Sequence, residues 1–261
     1  MITLSPIKAP RMSEPFDLVD FLDTITGDRL RDGDVIVVSS KFVAISEGRV
    51  VRLDSVVPSR YAIALASKYH VPSELCELVI RESDEILGGV VGFILAAKDG
   101  VLAPNAGIDR SNVGRGMAVL YPRNALESAS TIVEAMKFRH GVCIGMVVSD
   151  SRLMPTRRGT TGVALAAVGL EAVVDLRGRE DLFGNVLRVT SQAIADDLCS
   201  AAQLIMGEAD EATPFVLIRG LDEGLLAERD YPVAAFAVRA DQDVYLRSLS
   251  YEARRTSPRA S

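Results

Sequence analysis

Two short runs, DVIVVS at 34–39 and VCIGMVV at 142–148, are apolar at nearly every position. A strand with one wet face alternates polar and apolar side chains, so runs without that alternation read as strands buried on both faces. A strand of this kind carries its last residues to a sheet edge that a ligand can reach. Each run is followed by polar residues, Ser39-Ser40-Lys41 after the first and Ser149-Asp150-Ser151 after the second. Aromatic residues make up 5% of the chain and Trp is absent, so the core that covers these strands must be aliphatic.

The remaining periodicities supply the other elements. Helices are predicted over Glu14–Ile25, Ser59–Tyr69 and Ser73–Glu82, with Pro72 separating the last two. Arg123–His140 repeats Leu126, Ala129, Val133 and Met136 at helical spacing and stops at Gly141. Thr190–Met206 does the same with Ile194, Leu198, Ala201 and Ile205. Asp99-Gly100 between Val90–Ala97 and Val101–Leu102 is a hairpin signal. Short strands are predicted from Gly48 through RVVRL and over Met117–Tyr121, Glu171–Asp175 and Pro214–Arg219. Asp222–Leu249 reads as one or two helices, and Ala253–Ser261 as a solvated tail. Hairpin, short strands and long helices together indicate an α+β or mixed α/β fold, not a regular βαβ array.

Composition excludes several functions. A net charge of −6 does not suit a nucleic-acid binder. Cys76, Cys143 and Cys199 are odd in number and none forms a CxxC pair, so they are expected to be buried free thiols in a reducing compartment. His70 and His140 fall near helix ends without zinc-site spacing. No secretory leader and no apolar run of membrane-spanning length are recognisable, and a soluble cytoplasmic protein is expected.

Four polar stretches could carry chemistry. Asp150 leaves the second apolar run and is followed closely by Arg152, Arg157 and Arg158 and then by Gly159-Thr160-Thr161-Gly162. Guanidinium groups bind phosphate or carboxylate through paired hydrogen bonds, and Gly/Thr segments offer backbone and hydroxyl donors. APNAGIDRSN (103–112) gathers Asp109, Ser111 and Asn112 behind Gly107. Glu208 follows the helix stop at Met206-Gly207, and Lys41 follows the first buried strand. Solvated turns, helix caps and a surface lysine would produce the same four stretches. Taken together, Asp109, Asp150 and Glu208 offer hard oxygen ligands without soft donors, which favours Mg²⁺ or Mn²⁺ over zinc. Carboxylates with arginines point to metal-assisted phosphoryl transfer, although no GxxxxGK[ST] or GxGxxG motif is present.

From about Leu4 to Gly220 the chain resembles the coenzyme F420-0:L-glutamate ligase (gamma-glutamyl ligase) family. The resemblance rests on VVSSKFVAISEGRVV, RESDEIL, NAGIDRSN, VSDS and MGEADEATPFVLIRG, in that order. It implies a gamma-glutamyl-ligase-like α+β fold with mixed sheets and long helices, assembled as an intertwined homodimer. Residues 1–220 would form the catalytic region, as one unit or two interleaved subdomains, with 221–261 as a C-terminal extension. The implied reaction joins L-glutamate to a carboxylate of the deazaflavin coenzyme precursor through an acyl phosphate, consuming GTP. Mg²⁺ or Mn²⁺ would assist, with K⁺ as a further candidate ion. Position by position, the resemblance assigns Asp109, Asp150, Ser151 and Glu208 to metal, with Asp109 and Asp150 central to catalysis. Ser40, Lys41, Asn112, Met206, Gly207 and Arg157 fall to the nucleotide, with Ser5–Lys8 nearby.

Two departures bear on substrate. Ile45 stands where the family often has Lys. SRLMPTRRGTTG stands where its usual pattern is roughly TFGRPWRxGQTD, so Trp, Gln and Asp are missing while Pro155, Arg157, Gly159 and Thr161 remain. An acid–amino acid ligase with another acceptor, or a nucleotide- or flavin-binding homologue without ligase activity, is the alternative. An unrelated metal-dependent phosphohydrolase is a more distant one.

Overall fold

The computed structural model describes residues 1–249. In chain order the elements are β1 (Thr3–Ile7), α1 (Leu18–Thr26), β2 (Val35–Ser39), α2 (Ser40–Ser46), β3 (Val50–Arg52), α3 (Arg60–Tyr69), α4 (Ser73–Glu82), β4 (Glu85–Val90), β5 (Phe93–Lys98) and β6 (Val101–Pro104). They continue with β7 (Met117–Val119), α5 (Ala125–His140), β8 (Gly145–Leu153), β9 (Thr160–Leu170), β10 (Val174–Asp175), β11 (Ser191–Gln192), α6 (Ile194–Met206), β12 (Phe215–Arg219), β13 (Leu226–Pro232) and α7 (Val244–Leu249). The fold is mixed α+β.

The two apolar runs lie side by side at the centre of a six-stranded sheet ordered β1-β12-β2-β8-β9-β13. β2 and β8 pair in parallel, Val35 opposite Gly145 through Ser39 opposite Ser149, so both deliver their polar ends to the same edge. Both sheet faces are covered. Ile36, Val38, Met146 and Val148 face a core shared with α1, α2 and α5. Val35, Val37 and Val147 face a second core built on α6. This double burial is why the runs lack alternation. The few aromatics are concentrated: the rings of Phe16, Phe21, Phe42 and Phe215 stand 5.0–6.3 Å apart in successive pairs.

A second lobe spans roughly residues 50–120. There α3 and α4 pack on the sheet β4-β5-β6 around Leu65, Leu75, Val79 and Ile94. Asp99 and Gly100, both at positive φ, form the two-residue turn joining Lys98 to Val101, as the sequence signal predicts. Arg49 crosses to this lobe, bonding Glu82 at 2.7 Å and the Tyr121 carbonyl at 3.0 Å.

Several expectations need correction. α1 begins at Leu18, because the Asp17 carboxylate caps it by accepting from the Asp20 amide at 2.8 Å; residues 14–16 precede the cap. The helices at 125 and 194 also start later than predicted, the first at an Asn124 cap. The buried faces keep Ala129 and Met136 in α5 and Ile194 and Leu198 in α6 from the predicted sets, and are completed by Ile132 in α5 and by Ala195, Cys199 and Ala202 in α6. The strand after Gly141 does not end at Val148: β8 runs on to Leu153 with a register shift at Val148/Ser149. Thr160–Gly162, read as loop, opens the eleven-residue strand β9. Of the predicted strand over Glu171–Asp175 only Val174–Asp175 is extended. Asp222–Leu249 contributes a strand, β13, on the sheet edge as well as the short helix α7. Cys76 and Cys199 are buried thiols, but Cys143 is exposed. The tail expected at Ala253–Ser261 lies outside the described residues. Among the described residues no helix is long and apolar enough to cross a membrane.

β9 reads poorly as a strand because its residues are small. The reason is packing: a Cβ on Gly162 would stand 2.4 Å from the Cys199 carbonyl oxygen. The backbone of α6 therefore lies directly on the strand, and any side chain at 162 would push it away.

Candidate functional site

The polar ends of β2 and β8 open into a cavity of about 830 Å³. Its wall takes residues from the segment Ala9–Met12, the β2–α2 junction, the loop 104–112, Tyr121, the outer half of β8, and the end of α6 with residues 207–214. Asp109, Asp150, Ser151 and Glu208 all line it, as do Ser40, Lys41, Asn112, Met206 and Gly207. Two predicted positions do not. Arg157 sits in the exposed turn between β8 and β9, where its amide donates to the Met154 carbonyl at 3.2 Å. Ser5–Lys8 lies along β12, and the wall begins only at Ala9.

A run of short contacts, joined by the chain neighbours Ser40-Lys41 and Asp150-Ser151, links the three carboxylates. Asp109 is fixed to β7 by reciprocal backbone hydrogen bonds with Val119 of 3.0 and 2.8 Å. The Lys41 ammonium meets Asp109 Oδ2 at 2.6 Å and also donates to Ser111 Oγ at 2.7 Å. The Ser111 amide and hydroxyl both donate to the same carboxylate, at 2.7 and 2.9 Å. Burial works to raise the Asp109 carboxyl pKa, yet the ammonium and these hydrogen bonds outweigh it and hold it below the usual carboxylate range. Asn112, at positive φ, donates from Nδ2 to the Ala209 carbonyl at 2.7 Å, which joins this loop to the segment after α6.

Next in the run, the Ser40 hydroxyl donates to Asp150 Oδ1 at 3.3 Å. The Tyr121 hydroxyl donates to Asp150 Oδ2 and accepts from Arg152 Nη2 at 3.1 Å. Arg152 Nη2 lies 3.7 Å from Asp150 Oδ2. The Asp150 side chain is only 16% exposed. Burial pushes its carboxyl upward against the pull of Arg152 and Tyr121. Burial also drives the Tyr121 phenol upward, so that it stays a neutral donor. Arg152 Nε is buried and has no hydrogen-bond partner. At the far end, Ser151 Oγ donates to Glu208 Oε1 at 2.7 Å, and Gln203 Nε2 bonds both groups.

Tyr121 reaches Asp150 because of Gly107. A Cβ on that residue would fall 2.0 Å from the Tyr121 ring, and its φ of +74° is one that L side chains rarely adopt. The glycine of NAGIDRSN therefore serves the phenol ring. Sequence reasoning missed Tyr121 and Gln203 as site residues. Tyr121 lies two residues past the short strand β7 and Gln203 inside a helix, and neither position carries a motif.

The donor set is rich in hard oxygens, as Mg²⁺ or Mn²⁺ requires. The carboxylates nevertheless do not converge on one point. Among the described residues no three His, Cys, Asp or Glu side chains are grouped closely enough to hold a metal ion. Asp109 and Asp150 face Lys41 and Arg152 instead, so the residues fit ions shared with a ligand's own oxygens and do not fit an all-protein cage.

Comparison with known proteins gives a consistent picture. The family described as F420-0:Gamma-glutamyl ligase matches residues 6–220. Coenzyme F420:L-glutamate ligase of Methanocaldococcus jannaschii is 38% identical over 192 residues, 73% of this chain and 77% of that protein. The protein of the same name from Methanothermobacter thermautotrophicus is 38% identical over 201 residues, 77% of this chain and 80% of its own length. That from Methanopyrus kandleri is 34% identical over 222 residues, 84% and 87% of the two chains. With the family match spanning most of the chain and relatives of this closeness covered over most of their length, the chain belongs to the F420-0:gamma-glutamyl ligase family.

Proposed function

We propose that this chain is a GTP-dependent ligase that forms an amide between the amine of L-glutamate and a carboxylate of the coenzyme F420 precursor. The observation that carries this reading is the shared cavity. Asp109 and Asn112 from one loop, with Lys41, Asp150 and Glu208 from three other stretches of chain, border one space of about 830 Å³. That volume lies within the range of small-molecule sites, roughly 300–1,000 Å³. The names of the relatives supply the acceptor and the amino acid.

The chemistry needs two steps. A carboxylate is a poor electrophile, so its oxygen first takes the γ-phosphoryl group of GTP, and the bond to GDP breaks. The glutamate nitrogen then attacks the acyl carbon; phosphate departs and the nitrogen loses a proton. Asp109, Asp150, Ser151 and Glu208 would hold Mg²⁺ or Mn²⁺, which supplies countercharge to the phosphates. The chain's own groups bind and orient. Ser40, Lys41 and Asn112, with Met206 and Gly207, line the cavity, and in this reading they would contact the nucleotide. On nucleotide binding the Lys41 ammonium can leave Asp109 for a phosphate oxygen. Tyr121 holds the Asp150 carboxylate in place from its buried side. We further propose a cytoplasmic enzyme acting as an intertwined homodimer.

The test is mass spectrometry of the products. With deazaflavin precursor, GTP, L-glutamate and Mg²⁺, the precursor should gain glutamyl mass, and Asp150→Ala should abolish the gain. An unmodified precursor, or GTP cleavage without either acid, would refute the ligase reading.

A further inference from the structure

The Arg152 guanidinium is the best-buried cation of the cavity wall. Among the described residues the bases lining the cavity are Arg11, Lys41 and Arg152, and they are outnumbered there by acids. Arg11 is exposed, and Lys41 is fully engaged by Asp109 and Ser111. Arg152 is held differently. Its side chain is 12% exposed, its Nη2 leans on the Tyr121 hydroxyl, and its approach to Asp150 at 3.7 Å is too long for a hydrogen bond. Nε, one corner of the edge with which arginine grips a planar anion, has no partner. Leaving a buried charged donor unmet costs more than the roughly 1–3 kcal/mol of a neutral group, so such a donor calls for an explanation. Asp196, the other acid whose field reaches Arg152, is occupied in accepting from the Ala164 amide at 2.8 Å.

We propose that Arg152 is a substrate-binding residue, whose Nε–Nη edge turns into the cavity to take a substrate carboxylate in a paired hydrogen bond. The identity of that substrate rests on the ligase reading: both the acceptor acid and L-glutamate carry carboxylates, and in a wall dominated by acids each needs a cation. Arg152 follows Asp150 by two positions on β8 and opposes Thr161 on β9. A carboxylate gripped there lies beside Asp150. A forked contact distinguishes arginine from lysine, which offers only a point charge.

The experiment compares wild type with Arg152→Lys and Arg152→Gln, measuring KM for L-glutamate, acceptor and GTP separately. Arg152→Lys keeps the charge beside Asp150 and guards against simple misfolding. The expected result is a rise of about tenfold in KM for one acid with the KM for GTP unchanged. A rise confined to L-glutamate assigns the carboxylate to the amino acid, and one confined to the acceptor assigns it there. Unchanged KM values for both acids, a rise in KM for GTP, or a fall in kcat alone would overturn the proposal. If wild type forms no amide, the ligase reading fails separately, and binding is read from melting temperature. A shift by millimolar L-glutamate or glutarate that Arg152→Lys abolishes supports the site; no shift in wild type overturns it.

Discussion

Gly107→Ala tests whether the cavity wall is built as described. The new methyl would stand 2.0, 2.1 and 2.5 Å from three atoms of the Tyr121 ring, far inside van der Waals contact. The ring cannot simply retreat: Tyr121 is 6% exposed, and its hydroxyl is tied to Asp150 and Arg152. Two penalties therefore add. An alanine at a φ of +74° carries about 1–2 kcal/mol of left-handed strain. Overpacking a filled site adds about 1–3 kcal/mol. The sum is about 2–5 kcal/mol. Gly116→Ala is the control, since Gly116 has a φ of +78° but nothing within 4 Å of the added methyl. It should lose only the strain, about 1–2 kcal/mol. Equilibrium urea unfolding of the three proteins reads the difference from their midpoints. Activity provides a second readout, because displacing the ring frees Asp150 in Gly107→Ala and leaves it untouched in Gly116→Ala. Equal destabilisation and equal activity in the two variants would refute the packing argument.

Tyr121→Phe keeps the ring and removes the hydroxyl, leaving Asp150 and Arg152 each short of a partner. Hydrogen bonds to charged groups are worth about 1.5–3 kcal/mol, and urea unfolding should show a loss of that size; a neutral substitution would contradict the hydroxyl's role. Glu77 accepts from the Ser59 amide at 2.9 Å and from Arg81 Nε at 2.8 Å. The Ser59 contacts, with Arg81, hold its carboxyl down at about 2 from an ordinary 4.5. A depressed folded-state pKa stabilises above the unfolded value and stops doing so as pH falls through the folded one. The gap in melting temperature between wild type and Glu77→Gln should therefore be widest near neutrality and narrow steadily below pH 4.5; a gap independent of pH would refute the assignment.

The sequence was most informative where one residue type settles the matter locally. Val35–Val38 is apolar because cores lie on both sides of it, and that shows in four letters. Asp99-Gly100 sets its own turn geometry. β9 was illegible because Ala and Gly have little intrinsic strand preference; the strand exists through its pairing with β8 and the close approach of α6 at Gly162. β13 is likewise extended through its pairing with β9. Reading β8 as finished at Val148 placed Asp150 at a strand end, whereas it lies inside the strand on the cavity wall. The sequence named Asp109, Asp150 and Glu208 as a set but could not show Lys41 seated on the first or Tyr121 and Arg152 on the second, because those partners meet only through the tertiary fold. Arg157 lies outside the cavity lining in an exposed turn, a placement the one-letter code could not show, because a guanidinium beside a Gly/Thr segment looks the same whether it lines a cavity or faces water.

In the reading we propose, the acidic side chains of the cavity bind divalent cations together with a nucleotide. Mn²⁺ binding followed by electron paramagnetic resonance, with and without GDP, tests it on the wild-type protein and on Asp109→Asn, Asp150→Asn and Glu208→Gln. The account predicts that GDP strengthens Mn²⁺ binding in wild type and that each substitution weakens it by about tenfold or more, equivalent to about 1.4 kcal/mol. Three variants that bind Mn²⁺ as tightly as wild type would contradict it.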